Sequence, residues 1–509
     1  MLFLVSILPV LAQENARIEI PIRGTHVDIE TIPVGEAGVL LVSKPNKSTF
    51  SIEKYNTNLE KIWVIEGPVE NNYDLLATSY DGQSVFLLYG KIRGSNFKII
   101  KVNIGPGFVE TFDINPIDKF EITEFQTIGY SVFLAGMVRN ESVLIYTQLN
   151  TGQSKLLPTA IKGTSVIQSM ELDTLHQLIH VSFAVKKGKQ TKIIGRSYEQ
   201  TGKLYSEISV TPEDDYSLLN GRVQILNDST QLLVGTYGYR NMQSSSNPAS
   251  QGFYISKVVN ERTSYTRYHS FTSFSNFFQF LNERQQEKIE RKIQKKKETG
   301  NDLKLNYQLL VHDIVPYRGK YLLVAEVFYP DFKYQTPGLG GGYSYGRGIP
   351  YRSGLYNPYL YNPMYSGRGY NQQVFDGFVY THAIVAGISD EGDLLWDNSI
   401  NFDEVKSMTL RQKIKLQNDA MGNSKLAYSQ EGDIKSKIIK ENHVIDPDRT
   451  LDNRTLHEAD KVKRTSSDDV DYWFGNYFIS WGFQRIINGE DVNAAKARRN
   501  VFYLNKISF

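Results

Sequence analysis

Val39-Leu40-Leu41-Val42, followed after a short polar stretch by Phe50-Ser51-Ile52-Glu53-Lys54-Tyr55, decides how the rest of the chain is read. Both runs are short and rich in β-branched and aromatic residues, and polar turn residues lie between them, as in a hairpin. The unit recurs. Val85-Phe86-Leu87-Leu88 precedes Phe97-Lys98-Ile99-Ile100-Lys101-Val102, and Val132-Phe133-Leu134-Ala135 precedes Val143-Leu144-Ile145-Tyr146. Leu178-Ile179-His180-Val181 precedes Lys192-Ile193-Ile194-Gly195. The first strands of these four pairs start 46, 47 and 46 residues apart. Unrelated strands have no reason to keep that interval, so the chain is an internal repeat.

Insertions stretch the pattern further along. Leu232-Leu233-Val234-Gly235 pairs with Phe253-Tyr254-Ile255, and Leu322-Leu323-Val324-Ala325 with Phe378-Val379-Tyr380. Leu426-Ala427-Tyr428 pairs more weakly with Lys437-Ile438-Ile439, and Phe478-Ile479-Ser480-Trp481 pairs with Val501-Phe502-Tyr503-Leu504. Turn residues and a short outer strand follow several hairpins, as at Asn150-Thr151-Gly152, Gln200-Thr201-Gly202 and Asp390 to Trp396. Four short antiparallel strands in about 45 residues is the pattern of a β-propeller blade. The fold class is therefore all-β, a β-propeller over residues 17–509. Eight blades are favoured, and seven follow if the weak seventh hairpin folds into its neighbour. The hairpins lack the Trp-Asp and His-Gly marks of WD40 blades. The chain resembles secreted β-propeller repeat proteins of the Gram-negative cell envelope, a likeness that implies fold and not chemistry.

The last repeat stops after its third strand. Arg17-Ile18-Glu19-Ile20-Pro21-Ile22-Arg23 alternates at period two ahead of the first blade. It is expected to supply the missing outer strand by pairing with Val501–Ile507, closing the ring and leaving no open edge. Before it, Met1 to Ala12 form an apolar run that ends abruptly at Gln13-Glu14-Asn15. Twelve residues make a helix of about 18 Å, too short for a ~30 Å hydrocarbon core. Small residues before a cut after Ala12 suit a signal peptide. Its basic leader is missing, which a start codon misassigned downstream of the true one explains. No later run is long and apolar enough to span a membrane, so the expected location is periplasmic or secreted.

Composition fits this reading. Of 509 residues 40% are hydrophobic and 22% charged, ample for a core. The 57 basic and 55 acidic residues nearly cancel, giving no charge excess for nucleic acid. Cysteine is absent, which excludes disulfides, thiolate metal sites and cysteine nucleophiles.

Three segments break the β pattern. Over 275–300, Ser275 or Asn276 is expected to cap a helix running through Phe277-Phe278-Gln279-Phe280-Leu281 to Lys297 and ended by Gly300. Its second half is basic, with Lys288, Arg291, Lys292, Lys295, Lys296 and Lys297 interleaved with glutamates. It reads as a solvated rim helix or, more sharply, as an arm for an anionic surface. Residues 335–373, inside the sixth hairpin, are rich in Gly and Tyr. Tyr343, Tyr345, Arg347, Tyr351, Tyr356, Tyr361, Tyr365 and Arg368 are the candidate partner-binding residues, because Tyr offers large contact area at low entropic cost and Arg adds cation–π reach. The charged stretch 445–470 is expected to be an exposed connection between the last two blades.

No catalytic or metal-binding motif stands out. His176 and His180 read as structural, because strand residues at that spacing lie about 13 Å apart, too far to share a metal. Glu213-Asp214-Asp215 and Asp468-Asp469-Val470-Asp471 read as acidic turns that do not match a calcium loop. No catalytic residue, metal site or cofactor is assigned. The expected function is a non-enzymatic, exported protein-interaction scaffold whose partner is a protein of the cell envelope. The alternative is a carbohydrate-binding or carbohydrate-active propeller with tyrosines stacked on a glycan. Carboxylates clustered in the central funnel would favour the enzyme.

Overall fold

The computed structural model describes residues 16–22, 28–139, 141–159, 165–227, 229–243, 249–312, 314–335, 372–403, 405–451, 455–457, 459–489 and 498–508. Eight antiparallel sheets succeed one another around a ring, an eight-bladed β-propeller. Blades 1 to 7 span 29–68, 74–114, 120–157, 165–210, 216–270, 308–401 and 415–451. Blade 8 takes three strands from 461–508 and its outer strand from Arg17–Pro21, at the other end of the chain. The register Arg17↔Asn505 to Pro21↔Val501 is the closure expected from the alternating N-terminal stretch. The weak seventh hairpin forms its own blade, with Leu426 opposite Lys437.

The second and third strands of each blade are sandwiched between neighbouring blades, which is why they read as continuous apolar runs. Every residue of Ser84–Gly90 is buried. Between blades 2 and 3, Phe86, Leu88, Phe97 and Ile99 pack on Phe120, Phe125, Val132 and Leu134. Between blades 8 and 1, Trp481, Phe502 and Leu504 pack on Val39 and Leu41. Outer strands face solvent on one side, and Lys61–Pro68 alternates between exposed and half-buried. Among the described residues no helix is long and apolar enough to cross a membrane.

Two expectations need correction. The stretch 445–470 is mostly strand. His443–Leu451 is the outer strand of blade 7, and Lys461–Phe474 is the inner strand of blade 8. His443–Leu451 and the first half of Lys461–Phe474 are largely exposed, so backbone pairing holds them there without an apolar face for the sequence to reveal, and the apolar residues Val470 and Trp473 at the far end of the latter are buried in the core. Asp468 to Asp471 accordingly lie in a strand, not a turn. The helix begins later than expected, at Glu283–Glu298, capped by Asn282 and not by Ser275 or Asn276. Asn282 Oδ1 accepts from Gln285 N–H at 3.0 Å and Gln285 Oε1 accepts from Asn282 N–H at 3.3 Å, a reciprocal capping box. At the other end Gly300 adopts φ +67°, and Asn301 N–H reaches Lys296 C=O at 3.0 Å, the closing bond of a Schellman turn. Phe277 to Leu281 are apolar because they anchor the helix to the ring.

Candidate functional site

Strand alternation sorts the connections between two faces. In an antiparallel blade, the turn joining the second and third strands lies on the same face as the link from the outer strand to the next blade. Both large departures from the repeat therefore belong to one face of blade 6. One is the 271–307 link that arrives from blade 5 and carries the helix. The other joins Lys320–Gln335 to Gln372–Ile388. We call this the insertion face.

The second of these begins as a stem. Pairing of its two strands continues to Gln335↔Gln372, whereas the outer strand of the blade pairs only as far as His382 and the short strand Lys406–Ser407 carries that edge on to Phe378. Five residues, 331–335, thus rise as a two-stranded ribbon about 16 Å beyond the last of these pairings. A bulge leaves Asp376 as the extra residue beside Gly377, whose φ of +120° suits glycine alone. Asp376 turns to Lys333, 2.7 Å away, and to Lys406, whose Nζ also meets Asp331 at 2.7 Å. These lysines hold the Asp376 carboxyl below its usual range. Tyr329 and Phe332 on the stem are 49% and 43% exposed, aromatics that the sequence reading did not single out. The eight expected partner-binding residues, Tyr343, Tyr345, Arg347, Tyr351, Tyr356, Tyr361, Tyr365 and Arg368, lie outside the described residues.

The helical insertion is bolted to blade 6. Asp397 of the outer strand accepts from the backbone N–H of Ser275 (2.9 Å) and of Asn276 (2.6 Å). Phe277 stacks on Phe271 with centroids 4.3 Å apart, and Phe280 stacks on the His382 ring at 4.2 Å. His382 is fully buried; its Nδ1 contacts Thr381 Oγ1 at 3.0 Å, and its Nε2 has no hydrogen-bond partner among the described residues. Burial pushes its pKa down to about 3. The native state thus holds a neutral ring that the unfolded chain protonates near pH 6.5. Stability is unaffected above that pH and falls by about 1.4 kcal/mol per unit as pH drops from 6.5 toward 3. A His382→Phe variant is expected to flatten the thermal-midpoint profile between pH 6 and pH 4.5. An unchanged slope would show that this imidazole does not set the acid limit.

At the inner ends of the blades, polar side chains link neighbours. Ser79 Oγ donates to Gln126 Oε1 at 3.2 Å, Gln126 Nε2 donates to Met170 C=O at 3.3 Å, and Arg222 joins Glu171 to Val311 C=O. Across blades 6 to 8, Arg411 meets Asp469 at 3.0 Å and Lys415 meets Asp471 at 3.3 Å. Between them Lys413 is 7% exposed, and burial pushes its pKa down to about 8, opposed chiefly by Asp469. Glu326, at 0% exposure, accepts at Oε1 from Lys413 N–H and Ile414 N–H, both at 2.7 Å, and lies 2.9 Å from His312 Nε2. Each of these carboxylates is thus engaged by a cation or by backbone donors, although the second oxygen of Glu326 has no hydrogen-bond partner among the described residues.

His176 and His180 are closer than strand spacing implied. His176 sits in the turn after Asp173, so both rings reach the same oxygen, His176 Nδ1 at 2.7 Å and His180 Nε2 at 3.3 Å from Asp173 Oδ2. These bonds hold the Asp173 carboxyl well below its usual range in spite of its burial. Among the described residues no group of three or more His, Cys, Asp or Glu could hold a metal ion.

No protein-family model and no curated protein matches the chain. Among solved structures it is similar to the polysaccharide lyase Uly1, with TM-score 0.39 and 9% identity over 85% of this chain and 89% of that one. It is similar to the tricorn protease at TM-score 0.38 and 11% identity, over 87% of this chain and 36% of that one. A variant of the Synechocystis apocarotenoid oxygenase gives TM-score 0.31 and 6% identity over 49% and 63%. At such scores these likenesses carry no argument about substrate or reaction.

Proposed function

We propose that this protein is an exported, non-enzymatic scaffold of the cell envelope that binds a protein partner on its insertion face. The observation that supports this reading is the placement of the anchored helix and the long stem on one face of blade 6. The ring supplies a rigid platform, and both departures from the repeat concentrate contact area on one side of it. Residues 336–371, at the end of the stem, bring the tyrosines and arginines suited to contact.

Replacing Tyr343, Tyr345, Tyr356, Tyr361 and Tyr365 by Ser is expected to abolish partner recovery when the tagged protein is purified from its native envelope. The thermal midpoint should move little, because Lys406 staples the stem through Asp331 and Asp376. Undiminished recovery would remove the segment from the binding surface. A large drop in midpoint would place the tyrosines in the core. Export is checked separately by sequencing the mature N-terminus, expected to begin at Gln13.

A further inference from the structure

The helix Glu283–Glu298 gathers most of its cations on one face, with Lys296 and Lys297 of its last turn lying outside it. At 100° per residue, Arg284, Lys288, Arg291, Lys292 and Lys295 fall within one sector about 100° wide. Glu283, Glu287, Glu290 and Glu298 fall in the adjacent sector, and Gln286, Ile289 and Ile293 occupy a third. The third sector is half-buried, whereas all five cations of the first are exposed. Among the described residues only Arg291 of the five is ion-paired, with Glu287 at 2.8 Å. The stripe spans twelve residues, Arg284 to Lys295, about 16 Å along the axis.

Such a stripe on a solvated helix has an ordinary explanation in solubility. Two further observations go beyond it. First, the helix is not a loose appendage. Asp397, in the middle of the outer strand of blade 6, holds Ser275 and Asn276, and the stacked pairs Phe271–Phe277 and Phe280–His382 carry the segment along that strand to His382, opposite Asn401 at the end toward the insertion face. Second, the same face carries the exposed aromatics Tyr329 and Phe332 on the stem. Basic residues beside exposed aromatics are the combination that seats peripheral proteins on an anionic bilayer, cations attracted to headgroups and aromatic rings settling at the interface. The apolar side of the helix is turned toward the protein, so the helix lies over the surface without inserting.

We propose that the Arg284–Lys295 stripe and the aromatic stem dock the insertion face onto an anionic phospholipid surface. The protein partner inferred above would then be met at the membrane. This docking adds to that reading and does not need the partner to be present.

The test is co-sedimentation of the full-length protein with phosphatidylcholine vesicles, with and without phosphatidylglycerol. Binding is expected only with phosphatidylglycerol, and it should weaken as salt screens the charges. The variant R284Q/K288Q/R291Q/K292Q/K295Q is expected to bind at least roughly a hundredfold less tightly, since each cation near such a surface contributes. Gln keeps helix propensity close to that of Lys and Arg, and an unchanged circular-dichroism spectrum confirms it. The acidic-face variant Glu287→Gln/Glu290→Gln is expected to bind more tightly, an outcome that a misfolded helix would not produce. Equal binding to neutral vesicles, or undiminished binding by the five-fold variant, would overturn the proposal. So would capture by soluble dextran sulfate without capture by vesicles, which would make the stripe a site for acidic polysaccharide. Partner recovery in the tyrosine variant is read independently, so the two ideas can fail separately.

Discussion

Deleting residues 17–22 is expected to destabilise the protein by on the order of 5 kcal/mol and to drive it into aggregates. The five paired positions Arg17 to Pro21 cover the third strand of blade 8, and two more backbone bonds extend the ladder, Lys506 N–H to Ala16 C=O (2.8 Å) and Ile22 N–H to Asn500 C=O (2.9 Å). Ile18, Ile20 and Ile22 are half-buried against the cluster of Trp473, Trp481 and Phe502 that joins blade 8 to blade 1. Glu19 accepts from Arg499 at 2.8 Å, and Arg17 lies 4.6 Å over the Tyr503 ring. Removing all this leaves Val501–Asn505 as an open edge with its backbone groups unpaired, a template for another chain. Light scattering and thermal unfolding measure the outcome. A deletion variant that stays monomeric with an unchanged midpoint would mean that the ring closes by some other contact.

That closure was legible in the sequence for a physical reason. Arg17 to Arg23 alternate apolar and polar residues at period two where the last repeat lacks a strand, the isoleucines on one face and Arg17 and Glu19, paired with each other, on the other. The second and third strands of each blade were legible because burial on both faces makes them uninterrupted apolar runs, as at Val85 to Leu88. Strands with little apolar burial were not. Lys461–Phe474 alternates poorly because its first half is exposed and its second half supplies Asp469 and Asp471 to ion pairs with blade 7. The helix start was misplaced because Phe277 to Leu281 look like the apolar face of a helix, whereas they stack on Phe271, Tyr307 and His382. On the insertion face the bounds 335–373 nearly coincide with the end of the stem, but the length of the stem was hidden. Its charged residues, Asp331, Lys333 and Asp376, are tied together through Lys406 and leave no apolar trace. Glu326 did leave a signal. A carboxylate inside Leu322-Leu323-Val324-Ala325-Glu326-Val327-Phe328 has to be satisfied by something in the interior.

Replacing that glutamate is the second large effect to expect. Glu326→Ala should cost about 3–5 kcal/mol, because it strands donors and does not merely delete a contact. Residues 411–414 do not join the inner strand of blade 7, which starts at Lys415. Their backbone is held instead by blade 6. Lys413 N–H and Ile414 N–H donate to Glu326 Oε1, Arg411 N–H donates to the Tyr380 hydroxyl at 3.0 Å, and that hydroxyl donates to Arg411 C=O at 2.7 Å. Without the carboxylate, two buried N–H groups and His312 lose their acceptor where water is scarce. Lys413 also loses one of the charges that oppose the downward pull of burial on its pKa. The segment presents Arg411 and Lys415 to Asp469 and Asp471, so loosening it should weaken the seam between blades 7 and 8 as well as that between 6 and 7. Glu326→Gln keeps a carbonyl oxygen where Oε1 stands and is expected to lose only about 1–2 kcal/mol. Denaturant midpoints of the two variants against the parent decide the matter. An alanine variant within about 1 kcal/mol of the parent would mean that residues 411–414 find other acceptors, and that this buried carboxylate does not join the blades.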